Sequence, residues 1–351
     1  MKDKRSPTLT PSCLVVGILL ALVPATGSAQ QSDAEKLIEA GHWKKARTIV
    51  DARIRQSPSD PLSNYLLSQI HHAFGDDATP RALAEKAVSL EPRVAKYHRQ
   101  FAETLGIEAQ HASPIQLVFI ARQFRKELDT AISLDPRDIQ AQRDLLEYYL
   151  VAPGLAGGDI QKAAAAADHI AELDSAEGFL ARARVAVVRK QFAQAETFLQ
   201  KATEAQPPSY RALTELARFC LAREHADPGT AELAGREMLR LDRSRADSYT
   251  TLAEVYASRG DFAALDAILT ESAEQLSDDL SPYYRAAEAL LNNNREPARA
   301  ERYLRTYLSQ EPEGNEPPTA DARHKLDLAL RAQGRSILAT AGPNGPEQRK
   351  Q

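Results

Sequence analysis

Eight histidines and two cysteines are the residues of this 351-residue chain best suited to metal or nucleophilic chemistry, and their spacing supports neither. His71 and His72 are adjacent, so on a helix they point about 100° apart. There is no H-E-x-x-H, no paired-cysteine ligand set and no G-x-S-x-G turn. Carboxylates are plentiful but scattered along helix-like stretches, and two acids do no acid–base work without a pocket between them. The segment 151–159, VAPGLAGGD, invites comparison with a phosphate cradle. No Lys-Ser/Thr pair follows it and no strand precedes it, so that reading fails on specifics. The expectation is a chain with no catalytic residue, no bound metal and no cofactor.

The elements that position these residues repeat. Gly41 is matched by Gly75 and Pro58 by Pro92, each 34 residues on. Each glycine separates two helix-like stretches, and each proline closes the second, since it lacks an N–H and clashes with the preceding turn. The clearest unit runs from Tyr249 to about Ser277. Tyr249, Leu252, Ala253 and Tyr256 share one helical face at spacings of three and four. Gly260 breaks that helix, Phe262 follows, and Leu265 and Leu269 mark the buried side of a second helix.

These residues resemble the tetratricopeptide repeat. The match extends to Lys190, Phe192, Ala195, Leu199, Ala202 and Pro207, to Tyr283, Ala287, Leu290, Ala300, Leu304 and Pro312, and to Gly41, Trp43, Ala46, Val50 and Pro58. The turn near Asn293 holds one extra residue, and the turn near Pro228 is lengthened. The fold class expected is all-α: a right-handed superhelical solenoid of about eight TPR-like helix pairs plus a C-terminal capping helix from about Thr319 to Gln333. Isolated helices of about 13 residues are marginal in water. Stacked hairpins bury a continuous strip, and stability is shared between neighbours.

Residues 1–29 read as a signal peptide. Lys2, Lys4 and Arg5 precede an apolar run, Leu14–Val23, that is shorter than the roughly 20 residues of a bilayer span, and Gly27-Ser28-Ala29 offers a cleavage site. An uncleaved anchor is the alternative. The repeat array then occupies 30–340, and the Gly-, Pro- and charge-rich 341–351 is a disordered tail. Without residues 1–29 the chain carries 41 Lys+Arg and 47 Asp+Glu. That balance argues against general nucleic-acid binding. Stable membrane insertion after cleavage is not expected. Cys13 precedes the apolar run, unlike a lipoprotein acylation site. Cys220 alone survives cleavage, so no internal disulfide forms; it takes a core position, as does His98.

Two neighbouring units break the register. Pro92 to Pro136 spans 44 residues, so the repeat at about 93–136 is overlong, with helices from Ala95 to Gln110 and from Pro114, capped by Ser113, to Leu134. The next carries the loop insertion 151–159, where Pro153, Gly154, Gly157 and Gly158 rule out a helix. The loop either caps its two helices and packs beside the overlong unit, or joins Phe119 in a functional lip.

In the family, first helices line a concave groove that receives peptides or helices. The resemblance places there Tyr65 and Gln69, Arg99 and Glu103, Arg143 and Glu147, Leu180 and Arg184, Thr214 and Arg218, Thr250 and Glu254, and Tyr284 and Glu288. The two Arg-to-Glu pairs at i,i+4 are either intrahelical ion pairs or parts of a mixed-charge groove. The Lys and Asn set with which co-chaperone arrays grip a terminal carboxylate is missing. The function implied is an exported, periplasmic or secreted protein-interaction scaffold. The alternatives are a periplasmic assembly factor handing clients to a membrane machine, and a cell-envelope enzyme with a site near 151–159.

Overall fold

The computed structural model describes residues 26–76, 78–222 and 226–335. Among them are seventeen α-helices and no strand. The hairpins are α1 (Thr26–Glu39) with α2 (Trp43–Gln56), α3 (Pro61–Ala73) with α4 (Thr79–Leu90), α5 (Ala95–Gln110) with α6 (Pro114–Leu134), and α7 (Ile139–Val151) with α8 (Ile160–Leu173). The second half continues with α9 (Ser175–Val188) and α10 (Phe192–Thr203), α11 (Tyr210–Leu221) and α12 (Pro228–Leu241), α13 (Ala246–Arg259) and α14 (Phe262–Gln275), and α15 (Ser281–Asn292) and α16 (Pro297–Tyr307). A closing helix, α17 (Thr319–Arg331), follows. Eight pairs and a cap are what the 34-residue register predicts. The expected cleavage point after Ala29 lies inside α1. The rest of the expected signal peptide and the tail 341–351 lie outside the described residues.

Helix ends follow local chemistry. Gly41, Gly75 and Gly260 take φ of 86°, 75° and 78° at their turns, and Lys190 takes 59° at the matching place in the fifth pair. Aspartates start many of the helices. Asp60, Asp138, Asp159, Asp174, Asp227 and Asp261 each accept backbone N–H bonds from the first turn of the helix they precede, satisfying donors the helix itself cannot.

Small residues set the spacing between helices. Ala46, Ala84, Ala163, Ala195, Ala217, Ala253, Ala287 and Ala300 are fully buried. A Cβ on Gly178 would stand 2.3 Å from Ala171 Cα, so α8 and α9 meet almost backbone to backbone. One apolar cluster runs unbroken from Leu180 to Ala329, and smaller clusters serve the first four pairs.

A solenoid whose repeats touch only neighbours would keep its ends apart. Here the ends meet. His42 Nδ1 lies 3.0 Å from Asp278 Oδ2, and Lys45 Nζ donates to Asp278 Oδ1 at 3.0 Å. Lys44 donates its backbone N–H to Glu313 Oε1 at 2.6 Å and its ammonium to the Glu311 carbonyl at 2.8 Å. Arg47 donates to Glu311 Oε2 at 2.9 Å. A 3₁₀ turn, Glu313–Asn315, brings Gly314 against the Trp43 indole, where a Cβ would sit 2.9 Å from Cδ1. The array is therefore closed by hydrogen bonds between residues 233 to 269 positions apart and by the Trp43–Gly314 contact.

Candidate functional site

Closure turns the concave face into a cavity of about 980 Å³. Its wall comes from α1, α3, α5, α7 (at Gln140), α11, α13 and α15, from Trp43 at the start of α2, and from the closing segment at 313–317. Of the expected groove residues, Tyr65, Gln69, Arg99, Glu103, Arg218 and Glu254 line it, together with Thr214 and Thr250. Trp43, His72, Asp247, Asp279 and Glu313 line it too and escaped the sequence reading. Asp247 precedes the groove position Thr250 by less than a turn. Trp43 and Glu313 reach the cavity only because the ends meet, which no repeat register encodes.

Arg143, Glu147, Arg184, Tyr284 and Glu288 do not line the cavity. Tyr284 is 1 % exposed and its hydroxyl donates to Asp321, so it belongs to the packing of α15 on α17. Glu288 faces Arg285 at 2.8 Å and Lys325 at 3.1 Å. The intrahelical pairing expected of Arg143 and Glu147 does not form. Arg143 reaches Glu177 at 3.4 Å, and Glu147 takes both Arg184 nitrogens at 2.7 and 3.0 Å. Glu177 also meets Arg211, and Arg218 meets Asp247 at 3.4 Å. First helices of successive pairs are thus clipped together by a ladder of ion pairs, because spacing between repeats brings these long side chains within reach. Only Arg99 and Glu103 keep the i,i+4 contact, at 3.6 Å.

Arg99 is 5 % exposed and also faces Asp144 at 3.7 Å and Asp138 at 4.0 Å. Burial works against its charge, but Tyr65 and these carboxylates outweigh that and raise its pKa. Burial raises Glu254 and Asp279, and Arg285 opposes the effect only partly at Glu254. Burial also pushes Glu313 up to about 7, against the opposing N–H and ammonium of Lys44. At Asp278 burial acts upward as well, yet the hydrogen bonds from His42 and Lys45 prevail and hold the carboxyl far below the usual range.

The lip residues lie elsewhere: Phe119, Pro153, Gly154, Gly157 and Gly158 contribute nothing to the cavity wall. The loop holds one 3₁₀ turn, Gly154–Ala156, where only irregular backbone was expected. It caps its helices and leans on the overlong pair. The Tyr148 hydroxyl donates to the Ala156 carbonyl, Phe124 stacks on Tyr148 at 5.4 Å, and the Asp159 N–H bonds to the Tyr149 carbonyl at 2.8 Å. Leu155 at its tip is 100 % exposed, and Phe119 of α6 is 64 % exposed. Cys220 is buried, as is His98, whose ring nitrogens face Glu127 at 2.7 Å and the Pro92 carbonyl at 3.0 Å.

No protein-family model matches the chain, and no curated protein matches it in sequence. Solved structures do. Yeast Tom70 is similar over 90 % of this chain and 66 % of its own, at 13 % identity and a TM-score of 0.58. A thermophilic TPR protein of Thermus thermophilus is 20 % identical over 55 % of this chain and 98 % of its own, with a TM-score of 0.47. YrrB, described as a TPR protein with an unusual peptide-binding site, is 17 % identical over 59 % of this chain and 97 % of its own, with a TM-score of 0.37. The chain has the tetratricopeptide-repeat fold, an all-α solenoid.

Proposed function

We propose that this protein is an exported interaction scaffold that binds a segment of a partner protein in the cavity of its closed array. The observation that carries this reading is the convergence of seven first helices and the closing segment on one space of about 980 Å³. That is the upper end of the size range of ligand sites. Its wall is polar and charged, with Tyr65 and Trp43 supplying aromatic faces. Binding rather than turnover is the activity this reading assigns to it.

The test places a photo-crosslinking residue at Gln69, inside the cavity, and another at Glu172, on the outer surface. Crosslinks to a protein partner from position 69 alone are expected; equal yields from both positions count against the cavity. Export rests on the basic start, the apolar run and the small residues before Gln30. Amino-terminal sequencing of the protein from its native cell is expected to begin at Gln30, and recovery of Met1 on the bulk of the protein would refute cleavage.

A further inference from the structure

The cavity wall carries an unbalanced charge. Its three arginines are all engaged: Arg99 with three carboxylates, Arg218 with Glu215 and Asp247, and Arg285 with Glu288. Several of its acids are not. Among the described residues Glu39, Glu254, Asp279 and Glu316 line the cavity with no cationic group within 4.0 Å. Of these, Glu39 and Glu316 are exposed, Asp279 accepts the Ser281 N–H at 2.8 Å, and Glu254 is half-buried with its pKa raised by burial, so it is Glu254 that gains most from a cation brought to it.

A second feature points the same way and does not depend on the acid count. The buried Nδ1 of His72, on the same wall, has no hydrogen-bond partner among the described residues. It is a polar atom made ready for a partner that the chain itself does not supply. We infer that the cavity takes an extended, cationic segment of a partner protein, its ammonium or guanidinium groups seated among the unpaired carboxylates. This rests on the scaffold reading above and adds the chemistry of the occupant. Extension follows from the size of the space. A helix is 10–12 Å across with its side chains, so about two turns of one would fill a space of about 980 Å³. A flexible chain threads without opening the ring.

Fluorescence anisotropy on the full chain tests this with two labelled twelve-residue peptides, one of alternating Lys and Ser and one of alternating Glu and Ser. The Lys peptide is expected to bind and the Glu peptide not to. The triple variant Glu39→Gln, Glu254→Gln, Glu316→Gln is expected to weaken the Lys peptide at least tenfold. Glu85→Gln, Glu172→Gln, Glu274→Gln, which removes as many acids from exposed positions off the cavity, is expected to change it less than twofold. Equal weakening by both triples would mean only general attraction to an acidic protein and would overturn the proposal, as would spermine binding as tightly as the peptide. Binding of the Glu peptide, lost on Tyr65→Ala, would overturn the cationic assignment while leaving the scaffold standing. Binding of neither peptide would overturn the inference, and the Gln69 crosslink then decides the scaffold separately.

Discussion

At Cys220 position decides chemistry. The thiol is 1 % exposed, and burial, with Asp227 and Glu196 adding to it, pushes it up to about 11. A rise from 9 to 11 cuts the thiolate fraction near pH 8 about a hundredfold. In a Cys13→Ser variant, a thiol reagent at pH 8 is expected to label the native protein about a hundred times more slowly than the urea-unfolded one; comparable rates would mean an open core. Glu313 shows the opposite use of burial. Its folded pKa of about 7 lies above the ordinary value, so the folded chain holds that proton more tightly between about pH 4.5 and 7. Stability contributed by the protonated form is therefore lost as pH rises through that window. Glu313→Gln keeps the acceptor for the Lys44 N–H and removes the titration. Unfolding free energies from urea titrations are expected to match wild type at pH 4.5 and to exceed it at pH 8 by about 1–3 kcal/mol. Parallel pH profiles for the two proteins would sink this account. Cys220 was readable from the register because it replaces the aromatic of a repeat position. Glu313 was not, since its environment is made by residues nearly the whole chain away.

Elements were legible where local chemistry fixes them. Turn glycines, terminal prolines and the Ser113 cap placed the boundaries of α5 and α6, and the eight pairs follow from the register. What stayed hidden depends on neighbours. Nothing at Arg143 or Glu147 distinguishes a partner one turn along the helix from one on the next repeat, and the answer is the latter. Gly178 is a further case, a glycine in the first turn of α9 whose purpose appears only when α8 is packed on it. Alanine is ordinarily the better helix former by about 1 kcal/mol. At 178 its Cβ would stand 2.3 Å from Ala171, and overpacking typically costs about 1–3 kcal/mol. Gly178→Ala is expected to lower the thermal midpoint. Gly154→Ala, whose Cβ meets nothing within 4 Å, is expected to leave it unchanged. A stabilised Gly178→Ala would mean that α8 and α9 do not approach as closely as described.

On the scale of the whole molecule, two kinds of contact act together. Hairpin-on-hairpin burial holds each pair to the next and would survive if the ends parted. The closure is different in kind, since His42, Lys44, Lys45 and Arg47 meet Asp278, Glu311 and Glu313 mainly through charge. The exposed Arg47–Glu311 pair is worth about 0–1 kcal/mol, while Asp278 is largely buried and Glu313 buried in their pairs, so closure rests on a few ion pairs and one aromatic contact at Gly314. It should be separable from folding. Lys45→Glu with Arg47→Glu sets like charges against Asp278 and Glu311. Small-angle scattering is expected to show a larger radius of gyration for this variant, with unchanged helical circular dichroism. Wild type is expected to move toward that radius in 1 M NaCl, where the screening length falls to about 3 Å, and the variant to move little. A variant that keeps the wild-type radius would mean that Trp43 against Gly314 and the packing of the end hairpins suffice to close the array, and that the ion pairs are incidental to it. One that loses helicity would mean that closure and folding are a single event.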